Sequence, residues 1–195
     1  MIRQALAAGV HGLLLCHAET PGAVRAFVEA ARYPHQSAGV GATLGVGRRG
    51  SGGQGHAAAV WGLPVAEYMA RADAWPLNPD GELLLGLKIE NVRALANVEA
   101  SLAVPGVSFA EWGPGDMGLS MGHPTQHDPP YPGDMLAART WVLAACRAAG
   151  IAFLDQVTSK NVIERITEGV RIGAGEQARE AAEIGRRHTK RAMRW

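Results

Sequence analysis

The stretch that decides the fold runs from Leu83 to Gly122, LLLGLKIENVRALANVEASLAVPGVSFAEWGPGDMGLSMG. Leu83 to Ile89 is an apolar run of strand length with Glu90 at its carboxyl end, and a segment of helical period follows at once. A second short strand, Val107 to Trp112, opens into the loop Gly113-Pro114-Gly115-Asp116. In a parallel α/β sheet or barrel, consecutive strands joined by a crossover helix lie side by side and end on the same face. Glu90 and Asp116 are therefore expected to meet there. Two carboxylates at the mouth of a parallel sheet have two readings. One is a site for a hard cation such as Mg²⁺ or Mn²⁺, which takes oxygen ligands. The other is local capping, with Glu90 at a helix entry and Asp116 closing a glycine-rich turn.

Upstream of this core, Met1 to Ala8 reads as the tail of a helix stopped by Gly9. Gly12 to Cys16 is a buried-strand run whose carboxyl end carries His17 and Glu19. Thr20 and Pro21 then supply an N-cap and a first-turn proline. Ala23, Val24, Phe27, Val28 and Ala31 recur at helical spacing until Pro34. Gly39 to Gly55 is glycine-dense and contains a formal G-x-G-x-x-G at Gly45, Gly47 and Gly50. The strand before it and the helix after it that a dinucleotide site needs are not evident, so the reading is a loop. It is foremost a plain surface loop; the other reading is a mobile loop near the active face, with Arg48 and Arg49 available to an anionic substrate or a neighbouring subunit. A helix is expected to start at Pro64 and run to about Ala74, with Trp61, Tyr68 and Trp75 as packing residues.

Downstream of Glu90, Asn91 is the expected N-cap of a helix whose Leu95, Val98 and Leu102 form one apolar face. His123 to Gly133 is polar and proline-rich. It holds His123, His127 and Asp128, but lacks the compact further ligand that a zinc site requires, and reads as a solvated lid. Met135 to Ala149 is helical, Ile151 to Leu154 is a strand ending in Asp155 and Gln156, and Ser159 is the expected cap of the next helix. Val170 to Ile172 is a last short strand before a helical segment ending in GRRHTKRAMRW. That basic run has no interleaved aromatic residues and reads as a solvated or subunit-contacting tail rather than a nucleic-acid site.

A chain of 195 residues is long enough to bury a real core and is expected to form a single domain over 1–195. A formal charge of +1 argues against a dominant polyanionic partner, and no membrane span or signal-peptide layout is visible. Cys16 and Cys146 lie far apart in the sequence and read as reduced thiols of a cytoplasmic protein. The sum is five βα units, with strands near residues 12, 84, 107, 151 and 170. They suit an α/β fold of the (β/α)₈ TIM-barrel type, incomplete and lacking its first three units, with apolar strand faces and sheet edges left open.

On these residues a family resemblance rests. K-I-E-N before a helix, then V-P-G-V, then W-G-P-G-D-M-G-L-S-M-G is similar to the signature of the metal-dependent pyruvate aldolases of the HpcH/HpaI family. Its members include 4-hydroxy-2-oxoheptanedioate and 2-dehydro-3-deoxyglucarate types. IRQALAAGVHGLLL and AFVEAARYP resemble that family's fourth βα unit. The resemblance implies a class II carbon–carbon lyase that interconverts 4-hydroxy-2-oxoacids with pyruvate and an aldehyde. It makes Glu90 and Asp116 the ligands of a divalent metal, Mg²⁺ or Mn²⁺ with Co²⁺ also possible. The turn Gly113-Pro114-Gly115 would bind substrate, Gly115 presenting its N–H to the substrate carboxylate. The metal, as Lewis acid, would stabilise the enolate formed when the C3–C4 bond breaks or forms.

The chain departs from the family pattern at three places. The general-base His and the substrate-binding Arg belong to strands upstream of Met1, so low turnover is expected of this chain alone and recovery with an upstream segment. Lys88 stands where Gln is usual. By strand alternation it shares the face of Glu90, and it has three candidate roles: pairing with a carboxylate, touching substrate oxygen, or forming a Schiff base. Ala38 stands where Arg is usual. A citramalyl- or malyl-CoA lyase of the same superfamily and a catalytically inactive metal-binding scaffold are the alternatives. The family also implies a homo-oligomer, commonly hexameric.

Overall fold

The computed structural model describes residues 1–192; the end of the basic tail, 193–195, lies outside the described residues. The elements in chain order are α1 (Ile2–Ala7), β1 (Gly12–Leu15), α2 (Pro21–Ala31), α3 (Gln54–Trp61), α4 (Val65–Arg71), β2 (Ala74–Trp75) and β3 (Leu83–Ile89). They continue as α5 (Val92–Ala96), α6 (Val98–Leu102), β4 (Phe109–Trp112), α7 (Pro114–Ser120), α8 (Gly133–Ala149), β5 (Ala152–Gln156), α9 (Val162–Glu168), β6 (Val170–Ala174) and α10 (Ala178–Thr189).

All strand pairings are parallel, in the order β1-β3-β4-β5-β6, with the two-residue β2 joined to β3 alone. Among the described residues β1 and β6 do not pair, so the sheet is an α/β barrel that does not close. The sheet's two faces differ accordingly. Leu83, Leu85, Leu87 and Ile89 are fully buried and belong to one core cluster with Val24, Val28, Leu95, Val98 and Val142 of the helices. At about 1.5–3 kcal/mol for each buried aliphatic side chain, this face supplies much of the favourable folding energy. On the opposite face Leu14 and Leu84 are 37% and 39% exposed, as expected of strands whose inner side is uncovered.

Local chemistry explains the element ends. Thr20 Oγ1 accepts the Ala23 N–H at 3.2 Å and Pro21 opens α2. Asn91 Oδ1 accepts the N–H groups of Arg93 and Ala94, which starts α5 immediately after Glu90. The apolar face of Leu95, Val98 and Leu102 is buried, but the segment breaks at Asn97 into α5 and α6.

Several expectations are corrected. The helix foreseen from Pro64 to about Ala74 ends at Arg71, because the chain turns into β2; Pro64 is its cap and not its first residue. Trp61 and Tyr68 pack edge to face at 4.9 Å, whereas Trp75 is 44% exposed. The cap of α9 is Asn161; Ser159 instead donates to the Gln177 side chain. The glycine-dense loop does not offer its arginines to the active face. It lies against the C-terminal part of α2, at the amino ends of the strands, because α2 runs antiparallel to β1. Glu29 accepts the Gly45 N–H at 2.8 Å and pairs with Arg48 at 3.2 Å. Arg49 is buried, hydrogen-bonded to Tyr68 Oη, with its guanidinium 4.4 Å from the Tyr33 ring centre.

Beside that loop, Arg32 and Asp73, each 1% exposed, form a two-bond pair at 2.6 and 3.1 Å that ties α2 to the entry of β2. Removing one partner strands the other's charge inside the protein, at a cost of about 3–5 kcal/mol. Asp73→Ala should lower stability by that amount in urea unfolding. Glu67→Ala, at the exposed Arg71 pair, should cost under about 1 kcal/mol. Equal effects would contradict the assignment of Arg32–Asp73 as the clamp.

Candidate metal centre

The carboxyl ends of β1, β3 and β4 converge as the parallel register requires. Leu15 sits opposite Leu87, and Lys88 and Ile89 sit opposite Glu111 and Trp112. Gly113, Pro114, Gly115 and Asp116 read as a loop in the sequence. The structure instead makes Pro114 the first residue of α7, with Asp116 in its opening turn, where an acidic side chain suits the free N–H groups. Gly113 N–H donates to Ile89 O at 3.1 Å, and the Val92 N–H donates to Ser120 Oγ at 2.9 Å. These two bonds lash both ends of α7 to the strand and helix that flank Glu90.

Glu90 is 1% exposed. Its Oε1 accepts the His17 main-chain N–H at 2.7 Å, and its Oε2 lies 3.4 Å from Lys88 Nζ. His17, Glu90 and Asp116 each bring a ligating atom to within 4.8 Å of the others. Gly113 permits this closeness: a Cβ there would stand 2.7 Å from both Glu90 Cβ and Lys88 Cε. Gly115 faces His127 of the 123–133 segment, where a Cβ would come within 2.7 Å of ring Cδ2. A donor set of two carboxylates and an imidazole, with glycine backbone beside it, suits a divalent cation of the Mg²⁺ to Zn²⁺ range.

Lys88 lies on the face that the alternation foresaw, between Glu90 and Glu111, whose Oε1 is 4.0 Å away. Partial burial acts to lower its pKa, but Glu111 and Glu90 outweigh that, and the ammonium is held above its ordinary value. Glu111 is pushed up, first by burial and then by Glu90 and Asp155, with Lys88 opposing. A lysine so charged is a poor amine nucleophile. A cavity of about 420 Å³ opens beside Asp116, lined by His17, Asn91, Arg93 and Ser120. Another of about 400 Å³ lies on the far side of Pro114, between Glu111, Tyr131 and Arg139.

The sequence alone places His17 at a strand end and assigns it no role. What would have found it is the strand order: β1 pairs with β3, so the residue that follows Cys16 falls beside Glu90. His123 and His127 stay apart from this cluster, with Asp134 at 2.8 Å and Asp128 at 3.3 Å as their partners. Cys16 and Cys146 are free thiols.

The class that the fold and site define is an α/β layout of the TIM-barrel type with acidic side chains gathered at the strands' carboxyl ends. Residues 1–177 match the family model described as HpcH/HpaI aldolase/citrate lyase, and the chain belongs to that family. It is 30% identical over 164 residues to the 2-keto-3-deoxy-L-rhamnonate aldolase of Salmonella schwarzengrund, covering 84% of this chain and 55% of that protein. The chain thus spans about half the length of the curated relatives it matches. Among solved structures, an HpcH/HpaI aldolase/citrate lyase family protein from Burkholderia cenocepacia J2315 superposes with a TM-score of 0.71. That match is at 24% identity and covers 97% of this chain and 67% of the other. An HpcH/HpaI aldolase from Desulfitobacterium hafniense DCB-2 gives 0.65 at 20% identity, covering 98% and 68%. Both likenesses concern the fold. Among the described residues no helix is long and apolar enough to cross a membrane.

The flank of the site is held by an ion network. Arg139 Nη2 reaches Asp155 Oδ2 at 2.6 Å and Glu168 Oε2 at 2.8 Å, and Arg165 Nη1 reaches Glu168 Oε2 at 2.6 Å. Hydrogen bonds from Arg139, then Arg165, pull the Glu168 carboxyl from 4.5 down to about 2. A carboxyl depressed on folding stabilises above its unfolded pKa, and that contribution is lost as pH falls through the folded one. The urea midpoint should therefore decline between about pH 4.5 and pH 2. Glu168→Gln should be less stable at neutral pH and flatter across that window; an unchanged slope would contradict the network's role.

Proposed function

We propose that this chain carries the metal centre of a class II aldolase, a carbon–carbon lyase interconverting 4-hydroxy-2-oxoacids with pyruvate and an aldehyde. The observation behind this reading is the convergence of Glu90 and Asp116, from the end of β3 and the first turn of α7, in a member of an aldolase/citrate lyase family. Glu90 and Asp116 would hold a divalent cation, Mg²⁺ or Mn²⁺ with Co²⁺ also compatible. When bound, that ion supplies Lewis-acid stabilisation of negative charge developing on a ketoacid oxygen.

The chain's own residues supply the rest. The Lys88 ammonium, between Glu90 and Glu111, holds Glu90 in place and offers a charged N–H to a ketoacid oxygen on the same face. The Gly115 N–H, in the opening turn of α7, suits the substrate carboxylate. The partners are small molecules; the family resemblance extends the reading to a homo-oligomer, and the two thiols, far apart in the sequence, to a cytoplasmic setting.

Pyruvate release from 4-hydroxy-2-oxoacids is the test, followed at a protein concentration high enough to read the low turnover expected of this chain alone, with Mn²⁺ or Mg²⁺ present and with chelator. Release should require the cation and fall at least about 100-fold in Glu90→Ala. Borohydride added with pyruvate should leave Lys88 unmodified by mass spectrometry. Chelator-resistant release or an adduct on Lys88 would replace the metal mechanism with a Schiff base, and equal rates in Glu90→Ala would sink the proposal.

A further inference from the structure

His17, two residues past the end of β1, lies in the left-handed region at φ 50°, a conformation that histidine tolerates better than most residues but that still costs free energy. The turn does two things. It aims the His17 main-chain N–H at Glu90 Oε1, 2.7 Å away, and it swings the ring between the two carboxylates. Nδ1 lies 3.9 Å from Glu90 Oε1, and Nε2 lies 3.8 Å from Asp116 Oδ2. Both separations are too long for a hydrogen bond. The Nε2 to Asp116 separation falls inside the range of about 3.0 to 4.2 Å that separates two atoms bound about 2.1 Å from one ion.

The second observation concerns which ring nitrogen is available. Asn91 Oδ1 is committed to the N–H groups of Arg93 and Ala94, so the atom facing His17 Nδ1 at 3.3 Å is the amide nitrogen, a donor. The same amide nitrogen also donates to Glu19 Oε1 at 3.1 Å. Moving the ring proton from Nε2 to Nδ1 therefore costs Asn91 only the longer of its two bonds, and it turns an N–H toward Glu90. The Nε2 lone pair is then free on the Asp116 side. In metal-bound histidines one nitrogen commonly ligates while the other faces a carboxylate; here Glu90 Oε1, 3.9 Å from Nδ1, is the carboxylate on that side.

We propose that His17, through Nε2, is a third protein ligand of the cation held by Glu90 and Asp116, and that it biases the centre toward Mn²⁺, Co²⁺ and Zn²⁺ over Mg²⁺. Imidazole suits borderline transition ions, whereas Mg²⁺ gains little from a nitrogen donor. The inference rests on the metal reading of Glu90 and Asp116, and the experiment separates the two.

Metal-free protein is titrated with Co²⁺ and with Mg²⁺ by calorimetry, comparing wild type, His17→Asn and Glu90→Gln. Asparagine keeps the left-handed turn accessible, and the melting temperature of the metal-free variant checks the fold. His17→Asn should lose about tenfold or more in Co²⁺ affinity and less than about threefold in Mg²⁺ affinity. Glu90→Gln should lose both. Independently of any variant's folding, pulsed electron paramagnetic resonance of the Mn²⁺-loaded wild type should show coupling to a directly bound ring nitrogen. Equal losses for the two ions in His17→Asn, or no nitrogen coupling, would overturn the role of His17 while leaving the carboxylate site standing. Failure of the wild type to bind either ion would overturn both readings.

Discussion

Everything at the carboxyl face depends on how one inward carboxyl group, that of Glu90, is accommodated at 1% exposure. A buried polar or charged group is tolerable only with partners. Glu90 has them because three strands end together: the His17 N–H comes from the end of β1, the Lys88 ammonium from β3 itself, and Gly113 from the end of β4 leaves the room. Any slip in the β1–β3 or β3–β4 register would move these groups to the wrong face, since side chains alternate along a strand. The apolar alternation of Leu83, Leu85, Leu87 and Ile89 into the helix layer fixes that register, so the packing of the core sets the position of the site.

The two flanks of the site are braced differently. On the β1 side the bracing is made of local caps: Asn91 starts α5 while its amide reaches His17 and Glu19. On the β5 side it is ionic. Arg139, mostly buried in α8, binds Asp155 at the end of β5 and Glu168 at the end of α9. Asp155 is a strand-end carboxylate like Glu90, but its engagement by Arg139 removes it from the cluster that can hold a cation. Position at a strand end makes a residue available for chemistry; its partners decide whether it stays available.

Much of this was legible in the sequence because strand-length apolar runs and crossover helices leave few arrangements of a parallel sheet. Glu90, Asp116, Lys88 and the buried face of Leu95, Val98 and Leu102 follow from periodicity and strand order. What was not legible depends on contacts between segments distant in sequence. Arg49 looked exposed in a glycine-rich loop, yet Tyr33 and Tyr68 enclose it. The two-residue β2 was hidden among prolines, since so short a strand has no period to read. Gly113 to Asp116 looked like a loop because glycine and proline dominate it, although proline at a first helical position favours a helix. His17 needed the pairing of β1 with β3 before its place beside Glu90 had meaning.

The central claim is that Glu90 and Asp116 share one divalent ion at the mouth of the sheet. A crystal structure of the protein with Mn²⁺, with anomalous differences collected, tests it most directly. The expected result is a single anomalous peak about 2.1 Å from a carboxylate oxygen of each residue. A peak bound elsewhere, or none at saturating Mn²⁺ with the two carboxylates turned apart, would contradict it.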